Sequence, residues 1–196
     1  MEVGELTSLP NVEALWVAIT NILKDGLATD TPEAALKIVT SCVVDLLGDK
    51  TAHLRPGGLK KGENQYAVSA VVMISPDRKN NIFLAQQNFP DEQLQLKIPI
   101  DHGHPGNVVR QQKPLLLSNT DDYEDFEQIL NTSRMGSSMY APLFWQGEML
   151  GQLICGAQAR NTYRSLDLIL LKAFADTAAM LWVAHGGQEQ LGNLVD

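Results

Sequence analysis

One short segment, Asp101-His102-Gly103-His104, carries side chains that could do chemistry. Two imidazoles two residues apart, with a carboxylate beside them, are groups that bind transition metals. However, a glycine between two histidines suits a turn equally well, and no third histidine lies nearby in the sequence. We therefore interpret the segment as a loop whose histidines cap or line a pocket, and we predict no metal site. Metal analysis of the purified protein would test this interpretation.

No catalytic motif can be identified in the rest of the sequence. It has no glycine-rich phosphate loop, no nucleophile elbow and no paired carboxylates. The two cysteines, Cys42 and Cys155, are far apart and lack the spacing of metal ligands. Both fall on apolar faces of predicted elements, so we expect them to be core residues. A redox role for Cys155 would need exposure and a lowered thiol pKa, and no adjacent basic residue favours one.

Composition restricts the class of protein and its partners. The 196 residues suffice for one well-buried domain. The net charge of -8 disfavours nucleic acid and membrane surfaces as partners, because an acidic surface repels phosphate groups. The amino terminus lacks the features of a secretory signal, and only two cysteines occur, so we predict a cytoplasmic protein. The most apolar stretch, 166–184, contains three charged residues and is not predicted to span a membrane.

Hydrophobic periodicity predicts the elements that must position these residues. Helices are expected over 12–24, 30–47 and 165–185, with a short one near 106–112. Residues 49–64 contain Pro56-Gly57-Gly58 and are expected to form an exposed, mobile connection. The acidic segment 120–136 is interpreted as a solvated loop, or alternatively as a lid over a pocket. Alternation and turn signals predict strands at 65–74, 81–87, 94–100, 115–117, 139–145 and 149–158.

The first and last helices are apolar on more than one side. Trp16 lies on the wide apolar stripe of the first helix, and only Asp167, Lys172 and Asp176 interrupt the last one. A helix that is apolar on two sides must bury both of them. We therefore expect these helices to pack together and against a second copy of the chain, although a single larger core remains an alternative.

Several motifs follow one another in order from Pro105 onward. They are Gly106 with Val108-Val109, Lys113-Pro114 with Leu115-Leu116-Leu117, Ser138 with Ala141-Pro142-Leu143, Gly147 with Gly151-Gln152-Leu153, and Leu170-Leu171 with Phe174-Ala175. Their ordered combination resembles the GAF domain, a small-molecule-sensing module of many bacterial signalling proteins. The resemblance covers about residues 12–185.

The resemblance implies an α+β fold of PAS-related architecture, with a central antiparallel sheet of five or six strands and helices packed on one face. The chain would be a single domain over 1–196, with a core at about 12–185. The other face of the sheet would hold a ligand pocket covered by residues 101–138, which we call the roof. Family members commonly form dimers through their terminal helices, in agreement with the apolar helices described above.

Specialised branches of the family can be compared with this sequence. The Asn-Lys, Phe and Asp-Glu signature of cyclic-nucleotide-binding members is not found, since Phe89-Pro90-Asp91-Glu92 has the wrong spacing. Bilin-binding members use a cysteine, usually beside a histidine, and neither cysteine here has such a neighbour. Free methionine sulfoxide reductases need cysteines in the roof, and residues 100–136 contain none.

We therefore predict a non-catalytic sensory domain that signals through a homodimer interface or a separate signalling protein, because the chain has no room for an output domain, unless it is a fragment of a longer sensor. The alternatives are a free methionine-(R)-sulfoxide reductase and a degenerate module for dimerisation or protein contact. The sequence identifies neither the ligand nor a cofactor. Arg110 and Arg134 could pair with an anionic ligand, or equally with the acidic loop. The candidate ligand-binding residues are His102, His104, Arg110, Tyr123, Phe126, Arg134, Ser138 and Tyr140, with Met139 as a further apolar wall.

Overall fold

A computed structural model describes residues 12–124, 126–127 and 134–195. The start of the predicted domain and the middle of the predicted lid, residues 125 and 128–133, lie outside this range. The helices are α1 (Val12–Leu27), α2 (Pro32–Leu46), α3 (Gly103–Gln111), α4 (Ser165–Ala184) and α5 (Gly187–Val195). The strands are β1 (Ala67–Ile74), β2 (Asn80–Gln87), β3 (Lys97–Pro99), β4 (Leu115–Leu117), β5 (Ser137–Trp145) and β6 (Glu148–Ala157). Single 3-10 turns occur at Ala52–Leu54, Asp91–Gln93 and Thr120–Asp122.

Helix α2 begins where the sequence predicts it. The Thr31 side chain accepts a hydrogen bond from the Ala34 backbone N–H at 3.2 Å. Pro32 occupies the first turn, where a backbone N–H has no helical partner, and Glu33 lies near the positive end of the helix dipole. These three residues specify the start of the helix through contacts within the segment itself.

The six strands form one antiparallel sheet in the order β3-β2-β1-β6-β5-β4. This arrangement agrees with the predicted α+β class. Strands β5 and β6 pair as the expected hairpin, from Ser137 opposite Ala157 to Trp145 opposite Glu148. Gly147 in the turn has a φ of 86°, a left-handed conformation that glycine adopts without steric cost.

Alternation along the strands divides the core into two apolar clusters, one on each face of the sheet. Val71, Met73 and Leu153 belong to the helix-side cluster. Val72, Phe83 and Ile154 belong to the cluster on the opposite face. Because both faces are apolar, both must be covered, and the described part of the roof covers the second.

The long helices form two layers on one face of the sheet. Helix α2 packs on β1 and β2, α4 packs on β5 and β6, and α1 packs against both of these helices. The short α3 lies on the opposite face, within the roof, and contacts β5 and β6. No helix in the described part of the chain is long and apolar enough to cross a membrane.

Two predicted segments differ from the structure by more than the ends of an element. The strand expected at 94–100 is paired only over Lys97–Pro99, because Gln95 has a φ of 65° and breaks the extended conformation. The connection at 49–64 is less exposed than expected: Ala52 is buried in a 3-10 turn, and the Gly58 carbonyl accepts a hydrogen bond from the Arg160 backbone N–H. Part of this connection is therefore fixed to the end of β6.

Candidate functional site

A cavity of about 60 Å³ lies between the sheet and the roof, on the face opposite the long helices. Its walls are mostly apolar. Strand residues Val68, Val72, Ile98 and Ile154 form the floor, and Phe126 and Met135 lie on the roof side. The carboxylate residue Glu127 also borders the cavity, and its side chain is 60% exposed, so it marks the side that opens to water.

Two polar side chains face this apolar space without partners. Asn81 on β2 is fully buried, and neither its amide oxygen nor its amide nitrogen is hydrogen-bonded within the described residues. The buried Ser138 hydroxyl likewise has no hydrogen bond of ordinary geometry there. Buried polar groups are nearly always paired with protein, water or ligand, so these two side chains have unused hydrogen-bonding capacity that faces the cavity.

Tyr140 adds a phenol ring to the wall of the cavity. Burial raises the pKa of its hydroxyl to about 12, and the nearby Ser138 hydroxyl offsets part of that rise. Ser138 is therefore close enough to Tyr140 to affect this pKa, while its hydroxyl meets no other hydrogen-bond partner among the described residues. Tyr140 is therefore a neutral phenol at physiological pH and cannot act as a base.

An aromatic group separates the cavity from a second cleft. The His104 ring lies 5.4 Å from the Phe126 ring, 6.4 Å from the Tyr140 ring and 6.3 Å from the Tyr123 ring, measured between centroids. The second cleft has a volume of about 190 Å³ and lies between α3, β4 and Tyr123. His104 borders this cleft, and its ring forms the partition.

Charged side chains hold the described parts of the roof in place. The Arg134 guanidinium donates hydrogen bonds to the carbonyl oxygens of Phe126 and Thr120, both at 3.1 Å, and lies 4.8 Å from the centre of the Phe126 ring. Arg160 at the end of β6 donates to the carboxylates of Asp121 and Glu63. We call Arg160, Asp121 and Glu63 the roof clamp.

A family model for the GAF domain matches residues 31–182. The chain belongs to the GAF domain family. The match covers all of α2, every strand of the sheet, the roof and most of α4. No curated protein matches the sequence.

Solved structures show the same fold at low sequence identity. The GAF domain of Acinetobacter phosphoenolpyruvate-protein phosphotransferase gives a TM-score of 0.71 at 12% identity, over 91% of this chain and 97% of that one. The corresponding domain from Coxiella burnetii gives 0.70 at 16% identity, over 92% and 99%. Free methionine-R-sulfoxide reductase from Neisseria meningitidis, in complex with its substrate, gives 0.65 at 13% identity, over 93% and 95%. Identity this low shows the fold alone.

The structure of this GAF domain brings four of the eight candidate residues together. Phe126, Ser138 and Tyr140 line the cavity, and His104 packs against two of their rings. Tyr123 borders the second cleft on the other side of His104. Whether any of them binds a ligand stays a prediction.

The other three candidates lie away from the cavity walls. The His102 ring is 3.4 Å from the Glu127 carboxylate at the open side. Arg110 bonds within its own segment, to the Asn107 side chain and the Asp101 carbonyl, and Arg134 holds the roof as described above. Neither arginine lines the cavity, and the donors of both are directed to protein oxygens.

Among the described residues, no group of three or more His, Cys, Asp or Glu side chains is arranged to hold a metal.

Asn81 is the site residue that sequence reasoning missed. It lies in a segment that the sequence predicts only as an ordinary hairpin strand. A signal is present, because asparagine is depleted in strands and here precedes Ile82 and Phe83, both of which are buried. An asparagine beside apolar strand residues indicates a polar contact in the core, because buried polar groups are nearly always paired.

Cys155 borders the cavity where β6 passes beneath it, but the side chains of both cysteines pack on the helix side of the sheet. The Cys155 side chain packs in the helix-side cluster, and burial raises its thiol pKa well above the ordinary value. Cys42 is half-buried on α2, where burial, and then the charge of Asp45, raise the pKa of its thiol. Raised pKa values leave both as thiols rather than reactive thiolates at neutral pH.

Proposed function

We propose that this GAF domain is a non-catalytic sensory module that binds a small molecule in the cavity beneath the roof. The observation that carries the proposal is the pair of unpartnered polar side chains, Asn81 and Ser138, in an otherwise apolar cavity. Apolar pockets with a few convergent polar groups are the usual form of small-molecule sites. Ligand binding would be passed on through a dimer interface or to a separate protein.

Exposed apolar side chains on α1 and α4 support a homodimer as part of this proposal. Trp16 is 65% exposed, and Val17 and Leu27 on the same helix are also exposed. On α4, Leu166, Ile169 and Met180 are each more than 40% exposed. Since α1 and α4 contact each other, a second copy of the chain could cover both helices with one isologous interface.

An enzymatic alternative comes from the methionine sulfoxide reductases among the structural neighbours. Their chemistry, by the resemblance described above, needs cysteines in the roof. In this chain the thiols are Cys42 and Cys155, and both pack on the helix side of the sheet. These positions favour the sensory role, and an assay with free methionine sulfoxide and a thiol reductant should give no turnover.

A metabolite screen by thermal unfolding tests the sensory role. A ligand that binds only the folded protein raises its melting temperature. We expect at least one compound to stabilise the wild-type protein and the Leu54→Phe control, whose ring lies on the exposed 3-10 turn of the connection, outside α1 and α4. The same compound should not stabilise Val72→Phe, in which the ring fills the cavity. Equal stabilisation of both variants would contradict the proposed site.

A degenerate module for dimerisation gives a different result in the same experiment. In that case no metabolite would shift the melting temperature of any of the three proteins, while the dimer would persist. The screen therefore separates the two functions even though the ligand is unidentified.

A further inference from the structure

We propose that the cavity selects an uncharged ligand with an amide-type group, in which a hydrogen-bond donor and an acceptor lie side by side. This inference rests on the proposed function and specifies the chemical class that the site would take. It follows from three properties of the cavity and its described walls. These are the unpaired carboxamide of Asn81, the negative sign of the one charged side chain among the described lining residues, and the small volume of the cavity.

The Asn81 carboxamide is held in a fixed place by its strand. It pairs with Ile74 of β1 on one side and with Ile98 of β3 on the other, so its backbone is held between two neighbouring strands. Its side chain is fully buried, yet neither of its amide atoms has a hydrogen bond within the described residues. Leaving both a donor and an acceptor unpaired costs the desolvation of both groups, which a suitable ligand would recover.

A carboxamide is complementary to another group of the same kind. Its oxygen accepts one hydrogen bond and its nitrogen donates another in nearly the same plane. A lactam, a primary amide or a urea can satisfy both at once, whereas a ketone can satisfy only the nitrogen. The Ser138 hydroxyl, which also lines the cavity, can donate or accept and so can bind the remaining lone pair of the ligand.

Charge at the cavity disfavours anionic ligands. Among the described residues that line it, Glu127 is the one with a charged side chain, and it is acidic. Arg110 and Arg134 direct their donors to protein oxygens elsewhere. A carboxylate ligand would therefore lose its hydration without gaining a cationic partner in the cavity. It would also lie near the Glu127 carboxylate at the open side.

Volume limits the ligand to a small molecule. A cavity of 60 Å³ holds about four to six water-sized positions, since each water needs roughly 10–15 Å³. A five-membered lactam such as 2-pyrrolidinone fits this size, with its amide against Asn81 and its methylene groups against Val72 and Ile98. The N–H group can thus be tested with 2-pyrrolidinone and cyclopentanone, which are rings of nearly equal shape, and the negative charge with butyrate, an open chain with the same number of non-hydrogen atoms.

The test is a titration of the isotope-labelled protein, followed by NMR, with 2-pyrrolidinone, cyclopentanone and butyrate. We expect 2-pyrrolidinone to shift the Asn81 side-chain amide signals and to bind about tenfold more tightly than cyclopentanone, the difference of roughly one hydrogen bond. Butyrate should bind most weakly. Equal binding of the lactam and the ketone, or tighter binding of butyrate, would overturn the amide assignment while leaving a ligand site intact.

Variants on β2 test the role of Asn81 even where the probes bind weakly. Asn81→Leu keeps the approximate shape of the side chain and should remove the preference for the lactam over the ketone. Asn80→Leu, one residue earlier and on the opposite face by alternation, should preserve it. Asn81→Leu should also raise the melting temperature, because it removes an unpaired buried amide. A lowered melting temperature would show that Asn81 serves the fold, and would overturn the inference.

Failure of this inference and failure of the proposed function give separate results. If no probe binds but a compound from the metabolite screen stabilises the wild type and not Val72→Phe, the amide assignment is wrong and the sensory function stands. If neither the probes nor any metabolite acts through the cavity, both are wrong.

Discussion

The Arg160 side chain donates a hydrogen bond from Nε to the Asp121 carboxylate at 3.0 Å. This contact joins the end of β6 to the 3-10 turn of the roof. Arg160 is only 3% exposed, and it also pairs with Glu63 in the connection before β1. Because Lys60 contacts Asp121 at 2.7 Å, one carboxylate links three separate segments of the chain. The roof clamp therefore holds the cover of the cavity to the sheet by charge.

The first prediction concerns the strength of the roof clamp. Asp121→Asn removes the charge opposite a buried guanidinium and should lower the free energy of unfolding by about 1–2 kcal/mol, since the 28% exposure of the Asp121 side chain screens the pair. Asp122→Asn is the matched control, because the described partner of Asp122 is the Asn119 side chain in the same turn. Urea unfolding measures both. A loss as large in the control would show that the acidic turn, rather than the ion pair, is responsible.

The second prediction is the pH dependence of the same contact. Hydrogen bonds from Lys60 and then Arg160 lower the pKa of Asp121 from 3.8 to about 2. The pKa of Asp121 is lower in the folded protein than in the unfolded chain. Its ion pair therefore contributes fully to the free energy of unfolding above about pH 4, and this contribution is lost as the pH falls through 2. The difference in unfolding free energy between wild type and Asp121→Asn should be constant near neutral pH and shrink below pH 4. A difference that does not change over this range would contradict the assignment.

Local patterns in the sequence are sufficient to predict the sheet and the long helices. The β5–β6 hairpin follows from alternation around Gly147, and α2 follows from Thr31, Pro32 and Glu33 at its start. These signals depend on residues close together in the chain, and local chemistry decides them. The family resemblance, which rests on the same spacing, is confirmed by the match over 31–182.

Contacts between distant residues cannot be predicted in the same way. Arg160 and Asp121 are separated by 39 positions, and nothing in either local pattern indicates that they meet. The burial of the Asn81 carboxamide without a partner likewise depends on strands β1 and β3 on either side and on the roof above. Arg110 and Arg134 are candidate ligand contacts by their charge, but the backbone carbonyls that they bind cannot be identified from sequence.

The third prediction concerns thiol reactivity. In a Cys42→Ser background, Cys155 should react with iodoacetamide at neutral pH orders of magnitude more slowly in the native protein than in denaturant, because burial removes access and raises its pKa. Cys155→Ala, which leaves the half-buried Cys42, provides the comparison and should react faster in the native state. Rapid native modification of Cys155 would favour a redox role and would count against the non-catalytic proposal.

The fourth prediction tests the proposed dimer. Replacing Trp16 and Ile169 together with glutamate places charge on both exposed helix faces and should convert the dimer to a monomer, because burying unpaired carboxylates is costly. Light scattering gives the mass directly. Leu54→Glu is the control, since Leu54 is 73% exposed but lies in the 3-10 turn of the connection, outside both helices. A mass that is the same for wild type and the double variant would contradict an interface on α1 and α4.

The fifth prediction compares two glycines, each inside a helix. A Cβ at Gly106 in α3 would lie 2.2 Å from the backbone carbon of Asp101, whereas a Cβ at Gly192 in α5 would meet nothing within 4 Å. Helix α3 thus rests directly on the preceding turn of the roof. Gly106→Ala should destabilise the protein by more than about 1 kcal/mol, because backbone must move, and Gly192→Ala should stabilise it by up to about 1 kcal/mol through helix propensity. Since Pro105 borders the cavity, a displaced α3 should also reduce the ligand-induced rise in melting temperature. If Gly106→Ala matched Gly192→Ala in both measurements, close packing of α3 would not be what positions this side of the roof.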